Sequence, residues 1–581
     1  MAKVYGIDLG TTYSSIATLN DNGMPETIEN FADSAHTLAS AVFFPEGGEP
    51  VIGVAAKGQL ESDAHRVVQL IKREIGKDSA YEREYDGVVY DAITISSLIL
   101  KRMAEYAGAQ GHDVKDVVIT CPAYFGNEER NATRQAGIIA GFNVLNIVNE
   151  PTAAAFNYLS REFKEDKKIM VYDLGGGTFD ITLFDYSVGD DGKTTIDVIR
   201  SGGDDELGGS DWDGRLFDHI ASLYADEVGI DRSDIDNDSE LKLKLRTVVE
   251  ATKMSLTGMA KKNFTINHDG DTHRMEVTRD NFERITQDLV DRTMNYVHGL
   301  LSEAGVTANE IDMVLLVGGS SKMPMITNAV EQVFPGKWKL EEPDLAVAKG
   351  AALAAAIEYN ERIREFIRSE EQGGADPFND GIGSIFPENE QQMTVEEAKS
   401  QIIDLPTPIG AGSTIIDRLS RAFGTPARNA HGETVLDNLL YSGDQSPSDA
   451  VESYGMPSAY ADRPEVSYFK DPIYECSLRR GDAPVMLKDA NGNEIDNNAY
   501  DPGLLLKEIG TITIEIPPYS PASTQLEYSL RAKGDGIHVV AKNLSTNQVF
   551  EAFIESANTK SPDELAAAVK QMASVSTQGD Y

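Results

Sequence analysis

The stretch that decides the fold is KIMVYDLGGGTFD, residues 168–180, an apolar run closed by Asp173, then three glycines and Thr178. It has an echo near the start of the chain, VYGIDLGTTYS at residues 4–14, where Asp8 closes the run and Gly10, Thr11 and Thr12 follow. Each reads as a strand running into a turn of small residues. Glycine and small hydroxyl residues let backbone N–H groups come close to phosphate oxygens. The two aspartates supply hard oxygen ligands, and magnesium prefers a few carboxylates, waters and phosphate oxygens to an all-protein cage. One such turn is an ordinary strand-turn. Two, in corresponding places of two halves facing across a cleft, predict Asp8 and Asp173 holding a hydrated magnesium on a triphosphate.

Strand-like and helix-like segments alternate around these turns. Val4–Leu9, Val117–Cys121 and Lys168–Asp173 read as strands, and Ile95–Tyr106 and Asn127–Ala140 as helices. The pattern continues over 186–360 and ends in an Ala-rich helix from Asp344 to about Arg368. Such alternation predicts α/β layers. A third glycine turn, Gly318-Gly319-Ser320-Ser321-Lys322 before Pro324, fits either an anion or nucleoside site or a plain βα turn. A P-loop is excluded, because Ser187 stands where the glycine preceding Gly192-Lys193-Thr194 belongs. His268 and His273 flank DGDT between strand-like runs and read as a hairpin turn rather than a metal cluster.

Composition changes after residue 368. Residues 369–412 are rich in Gly, Pro and acidic side chains and read as a mobile linker. Residues 413–558 carry short β-like runs, among them Thr434–Leu440, Glu465–Tyr474, Gly510–Ile516 and Leu526–Ala532, which predict an all-β sandwich. Residues 559–581 hold one helical pattern, Pro562–Met572, and a tail.

The bulk numbers exclude several classes. A formal net charge of -42 repels nucleic-acid phosphates and anionic lipid, so neither is expected as a partner. Two cysteines, Cys121 and Cys476, build no disulfide framework and fit a reducing cytosol. MAKVYGIDLG shows no basic segment leading into an apolar core, so no secretory leader is expected, and no apolar run reaches membrane-spanning length. A cytoplasmic protein is the expectation.

The strings GIDLGTTYS, VVITCPAYF, NEPTAAA, VYDLGGGTFD, LGGSDWD and LLVGGSSKMP, in this order over residues 1–360, resemble the DnaK-type, seventy-kilodalton heat-shock chaperone family. The resemblance implies a two-lobed, actin-like (ribonuclease H-like) ATPase domain over 1–368 and a peptide-binding β-sandwich beyond it. It implies that Asp8, Gly10, Thr11, Thr12 and Tyr13 form the first phosphate hairpin. Asp173, Gly175, Gly176, Gly177 and Thr178 would form the second, with Asp180 near potassium sites. Lys72, in QLIKREIG, would contact the γ-phosphate, and Glu150, in NEPTAAA, would orient the attacking water; residue type alone does not single out either. Gly209 would lie in a nucleotide turn. Glu250, Lys253, Met254 and Thr257 would grip ribose and adenine, Met254 standing where some members carry Arg. Gly318, Gly319, Ser320, Lys322 and Asp344 would complete the adenosine pocket. ATP or ADP, Mg2+ and K+ are the implied ligands. Unfolded polypeptides, a J-domain co-chaperone and a nucleotide-exchange factor are the implied partners.

Two departures stand against that pattern. The family's apolar linker is missing directly after the ATPase domain, its nearest matches being Ile402-Ile403-Asp404 and Ile415-Ile416-Asp417, and the helical lid is nearly gone. They raise a second expectation, a regulatory or scaffolding ATP-binder whose C-terminal half docks a dedicated partner. A sugar or metabolite kinase on the same fold would share the phosphate turns, but NEPTAAA and the β-rich half argue against it.

Overall fold

In a computed structural model of the protein, the described residues are 3–31, 34–77, 81–160, 165–189, 194–268, 270–340, 342–372, 394–405, 414–419, 421–429, 431, 433–446, 448–455, 460–489, 491–496, 504–533, 536–553, 559–573, 575 and 577. The tempting Gly192-Lys193-Thr194 turn falls largely outside them.

Both echoing stretches are hairpins at matching places in two sheets. In the first sheet, Val4–Asp8 pairs antiparallel with Tyr13–Leu19 and parallel with Asp116–Cys121, which pairs parallel with Asn143–Asn149. In the second, Lys167–Leu174 pairs antiparallel with Phe179–Val188 and parallel with Met313–Val317, which pairs parallel with Trp338–Leu340. The strand Lys167–Leu174 is apolar without alternation because both of its faces are covered, and all its residues from Ile169 on are buried. The sequence echo is thus a duplicated topology.

Two helices, Glu150–Leu159 and Ala346–Gln372, fill the space between the sheets and share one apolar core with both. The fit is close enough to demand glycine. A Cβ on Gly350 would fall 1.6 Å from the Ala153 carbonyl oxygen, and one on Gly6 would fall 2.0 Å from the Ala352 nitrogen. Each lobe keeps a further core of its own, one around Ile95, Leu98 and Ile119, the other around Trp212, Leu216 and Leu245.

The segment expected as a mobile linker is in part packed structure. Residues 373–393 and 406–413 lie outside the described residues, but Val395–Gln401 is a helix capped by Thr394 and Glu397. Its Ala398 and the following Ile403 are buried in the core between the lobes. Asn360 holds Ile403 in both directions, its amide donating to the Ile403 carbonyl and its oxygen accepting from the Ile403 N–H, each at 2.8 Å. The reading of this stretch as linker weighed its Gly, Pro and acidic residues and passed over the capping pattern at Thr394 and Glu397. Farther on, Thr414–Arg418 adds a parallel strand to the second sheet, Ile415 opposite Ile196 and Ile416 opposite Asp197. Of the two Ile-Ile-Asp candidates, then, the first packs its Ile403 into the core and the second extends a sheet edge.

Among the described residues beyond 420, Gln445–Ser446 pairs with Thr414–Arg418 and the other named strands form two sheets. One orders Met486–Lys488, Thr434–Leu440, Ala422–Arg428, Ser467–Cys476 and Lys507–Ile516; the other orders Ser448–Gly455, Gln525–Lys533, Gly536–Asn543 and Gln548–Phe553. Ile473, Ile512 and Ile514 from the first meet Leu526, Tyr528 and Val539 from the second in one core. These sheets lie against the first lobe. Lys507 pairs with Glu128, and the Asn127 N–H donates to Glu475 at 3.2 Å. The helix Pro562–Ala573 also packs there, with Ala568 and Met572 joining the first lobe's core. Lys560 pairs with Asp91, and Lys101 donates to the Met572 carbonyl at 2.9 Å. Among the described residues no helix is long and apolar enough to cross a membrane. His268 and His273 sit on the hairpin Lys261–His268/Asp271–Thr278, and no metal-binding group of three His, Cys, Asp or Glu occurs among the described residues.

Candidate functional site

The two glycine turns abut. A Cβ on Gly176 would fall 1.9 Å from the Thr12 hydroxyl oxygen, and one on Gly177 would fall 2.3 Å from the Thr11 methyl carbon. Glycine is therefore required by the opposite hairpin as well as by any ligand. Around this junction lies a cavity of about 390 Å³ between the lobes, within the range of small-molecule sites.

At its floor are Asp8, Lys72, Glu150 and Asp173. Lys72 and Glu150 form a buried ion pair. Burial opposes the charge on Lys72, but Glu150 and then Asp8 outweigh it and hold the ammonium above its ordinary value. Burial, with the charge of Glu150, pushes Asp8 up to about 7 and Asp173 well above the carboxylate range. Asp180 is driven up by the same two causes. One Asp180 oxygen accepts from the Ala123 N–H at 2.7 Å, and the other is buried without a partner. Four carboxylates around one lysine make a site short of positive charge. They fit a cation, but they do not close on a common point, so the fit is to a hydrated ion held through water rather than to direct chelation.

Gly10, Thr11, Thr12, Tyr13, Gly175, Gly176 and Thr178 line the cavity beside this floor. Toward its mouth come Glu250, Lys253, Met254 and Thr257, which fall on one face of the helix Ser239–Gly258 because they are spaced three, four and seven apart. Gly318, Gly319, Ser320, Lys322 and Asp344 face them, Lys322 paired with Asp344. Gly318 has φ 80°, and a Cβ there would fall 2.4 Å from the Leu174 carbonyl oxygen, so both conformation and space call for glycine. Three expected residues stand off the lining. Asp180 lies behind Ala123; the Gly177 carbonyl accepts from Arg73; the Gly209 carbonyl accepts from Lys253 at 2.8 Å.

The structure adds residues that motif reading passed over. Arg73 crosses between lobes, donating from Nε (2.9 Å) and Nη2 (2.6 Å) to the Gly177 carbonyl and from Nη2 to Asp211 at 2.8 Å. It holds the second turn against the first lobe, and its place beside Lys72 in QLIKREIG was the available signal. Lys57 bridges the cleft mouth to Glu250 at 2.7 Å and lies 4.7 Å from the Tyr13 ring centroid. Asp213, within LGGSDWD, binds Lys253 at 2.6 Å. Thr37, Met323, Pro343 and Val347 also line the cavity, and no motif marked them.

Two duplicated lobes, each sending a glycine turn into a shared carboxylate-rich cleft, define the actin-like class of two-lobed proteins. The profile of the family described as Hsp70 protein matches residues 4–369, and the chain belongs to that family. Members of it bind ATP and ADP with magnesium and hydrolyse ATP. The chain is 41% identical over 364 residues to the Chaperone protein DnaK of Thermosipho melanesiensis, covering 61% of this chain and 59% of that one. It is 39% identical over 364 residues to the Chaperone protein DnaK of Thermotoga maritima, with the same coverage. The chain thus spans about three fifths of the length of these relatives, and the family profile ends at residue 369, within the helix Ala346–Gln372.

Proposed function

We propose that this chain is an ATP-driven molecular chaperone: it hydrolyses ATP in the interlobe cleft and uses the cycle to control binding of extended or unfolded polypeptide by its C-terminal sheets. The observation that carries the reading is the buried Lys72–Glu150 pair set between two abutting glycine turns, with Asp8 and Asp173 closing the strands behind them. Backbone N–H groups of the turns would hold the phosphates, Lys72 would position the γ-phosphate, and Glu150 would orient the water that displaces ADP. Such catalysis rests on positioning and electrostatics. Magnesium, held through water by Asp8 and Asp173, would offset charge on the triphosphate, and potassium suits Asp180. Glu250, Lys253, Met254 and Thr257 would grip the nucleoside, with Lys57–Glu250 retaining it.

The C-terminal sheets share one core in the manner of a β-sandwich. Extended peptide would bind there through backbone hydrogen bonds and apolar pockets. Thr414–Arg418 extends the sheet that carries Asp173 and Asp180, so nucleotide state and sheet docking have a covalent and hydrogen-bonded route between them. A J-domain co-chaperone and a nucleotide-exchange factor are the partners this cycle calls for, and two buried free cysteines suit the cytoplasm. A regulatory or scaffolding ATP-binder remains the second reading, supported by the helix Pro562–Ala573 packing on the first lobe. Fluorescent-peptide affinity with ATP and with ADP separates the two. The chaperone reading expects binding in ADP and release accelerated by ATP. Absence of peptide binding in both states would overturn it in favour of the second.

A further inference from the structure

Four parts of the chain meet around a second cavity of about 200 Å³. The loop after Asp116–Cys121 contributes Tyr124, the strand Thr194–Asp204 contributes Arg200, the segment after Thr414–Arg418 contributes Arg421, and the C-terminal sheets bring Ser442, Ser477 and Arg479. In a chain with 52 basic and 94 acidic side chains, three guanidinium groups on one small cavity run against the average. Two carboxylates sit beside them. Glu303 takes the Arg479 Nη2 at 2.9 Å and lies 3.9 Å from the Arg200 Nε, and Glu475 lies 3.3 Å from the Arg421 Nε.

One polar group is left over. The Tyr124 hydroxyl is buried and makes no hydrogen bond among the described residues, and the buried Arg421 Nε has only the Glu475 carboxylate, at 3.3 Å. Leaving a buried donor unpaired costs about 1–3 kcal/mol, so the Tyr124 hydroxyl points to an acceptor that belongs in the cavity. A guanidinium carries five N–H donors in a rigid fork, and one carboxylate partner at Arg421 and at Arg479 leaves several for an anion. Guanidinium and hydroxyl groups approaching from several walls suit an oxyanion that presents acceptors in several directions, as a phosphate does, rather than the planar pair of a carboxylate.

We propose that this cavity binds a compact phosphate-type oxyanion and that its occupancy favours docking of the C-terminal sheets on the ATPase lobes. The second part follows from the walls. Tyr124 and Arg200 belong to the two lobes, and Ser442, Ser477 and Arg479 to the sheets, so the full set of donors exists only in the docked arrangement. A ligand that binds one arrangement better shifts the equilibrium toward it.

The test is calorimetric titration of the full chain with inorganic phosphate, with and without saturating β,γ-imido-ATP and magnesium. Occupying the nucleotide cleft removes any phosphate binding there. A chain that failed to bind nucleotide would give the same phosphate titration in both arms, so the nucleotide reading and this one fail separately. Arg479→Met should weaken the surviving phosphate binding about tenfold, and Tyr124→Phe, which keeps the ring, about threefold. Arg479→Lys, which keeps the charge and the contact with Glu303, should recover part of the loss. Energy transfer between labels on the first lobe and on the sheets should rise with phosphate in the parent chain and not in Arg479→Met. Glycerol phosphate in place of phosphate separates a phosphorylated metabolite from the free anion, the tighter binder being the ligand type. Absence of binding once the nucleotide cleft is filled, or binding equally tight in all three variants, would overturn the proposal.

Discussion

Glu475 is the residue through which pH should reach the docking of the sheets. It sits against the start of the helix Asn127–Ile139, whose N-cap position, Gly126, offers no side chain. The Asn127 N–H donates to Glu475 at 3.2 Å, and a Cβ on Gly126 would fall 2.5 Å from the same carboxylate, so the helix start leaves room for a cap supplied by the other half of the chain. Arg421 faces the carboxyl from the sheets; Glu128, paired with Lys507, and Glu129 face it from the helix. Burial, partly opposed by Arg421, pushes Glu475 from 4.5 up to about 7, and Glu129 is raised too, by burial first.

With the sheets undocked the Glu475 carboxyl meets water and returns toward 4.5. The docked form therefore holds the proton more tightly, by about 3 kcal/mol at 1.36 kcal/mol per tenfold. This contribution to docking is fully present below pH 4.5 and is lost as pH rises through about 7. Glu475→Gln keeps the shape and removes the titration. The docking constant of the parent chain, relative to that of Glu475→Gln, should fall roughly a hundredfold across this window. Interdomain energy transfer measured against pH in both proteins reads it directly. Parallel profiles in the two proteins would refute the argument, because the remaining titrating groups are common to both.

Two further outcomes follow from the same contacts. Lys72→Ala should lower single-turnover ATP hydrolysis roughly a hundredfold or more while nucleotide still binds, since the glycine turns and the Glu250 helix are untouched; near-parental turnover would remove Lys72 from the reaction. Met572→Asp places a charge in the first lobe's core and should release the helix Pro562–Ala573 at a cost of about 3 kcal/mol or more. Limited proteolysis should then cut this helix first, and unchanged protection would show that its packing contributes little.

Local chemistry carried the two-lobed half of the chain in readable form. An Asp-closing apolar run followed by glycines dictates a strand and a tight turn wherever it occurs, and its recurrence at Asp8 and Asp173 announced two halves before any contact was known. The hairpin at His268–His273, the strand Thr434–Leu440 and the helix beginning at Pro562 were likewise local in origin, set by alternation, turn residues and capping. The site residues on the two Asp-closing glycine turns were legible for the same reason. Glu250, Lys253, Met254 and Thr257 were reached instead through the family resemblance, and the helix Ser239–Gly258 sets them on one face. Arg73 and Lys57 were not, because their roles lie in partners 138 and 193 residues away along the chain. Nor could composition decide the fate of the segment after residue 368. Ile403 and Ile415 are both apolar residues in a polar stretch. Only the buried surface beside Asn360 and the open edge beyond Ile196 gave each a place. The same holds for Glu475: a carboxylate in a strand reads as a solvated face, and it became a buried helix cap because a distant glycine left the space for it. Short-range propensity is written in neighbouring residues, whereas burial and pairing depend on which distant surfaces the folded chain brings together.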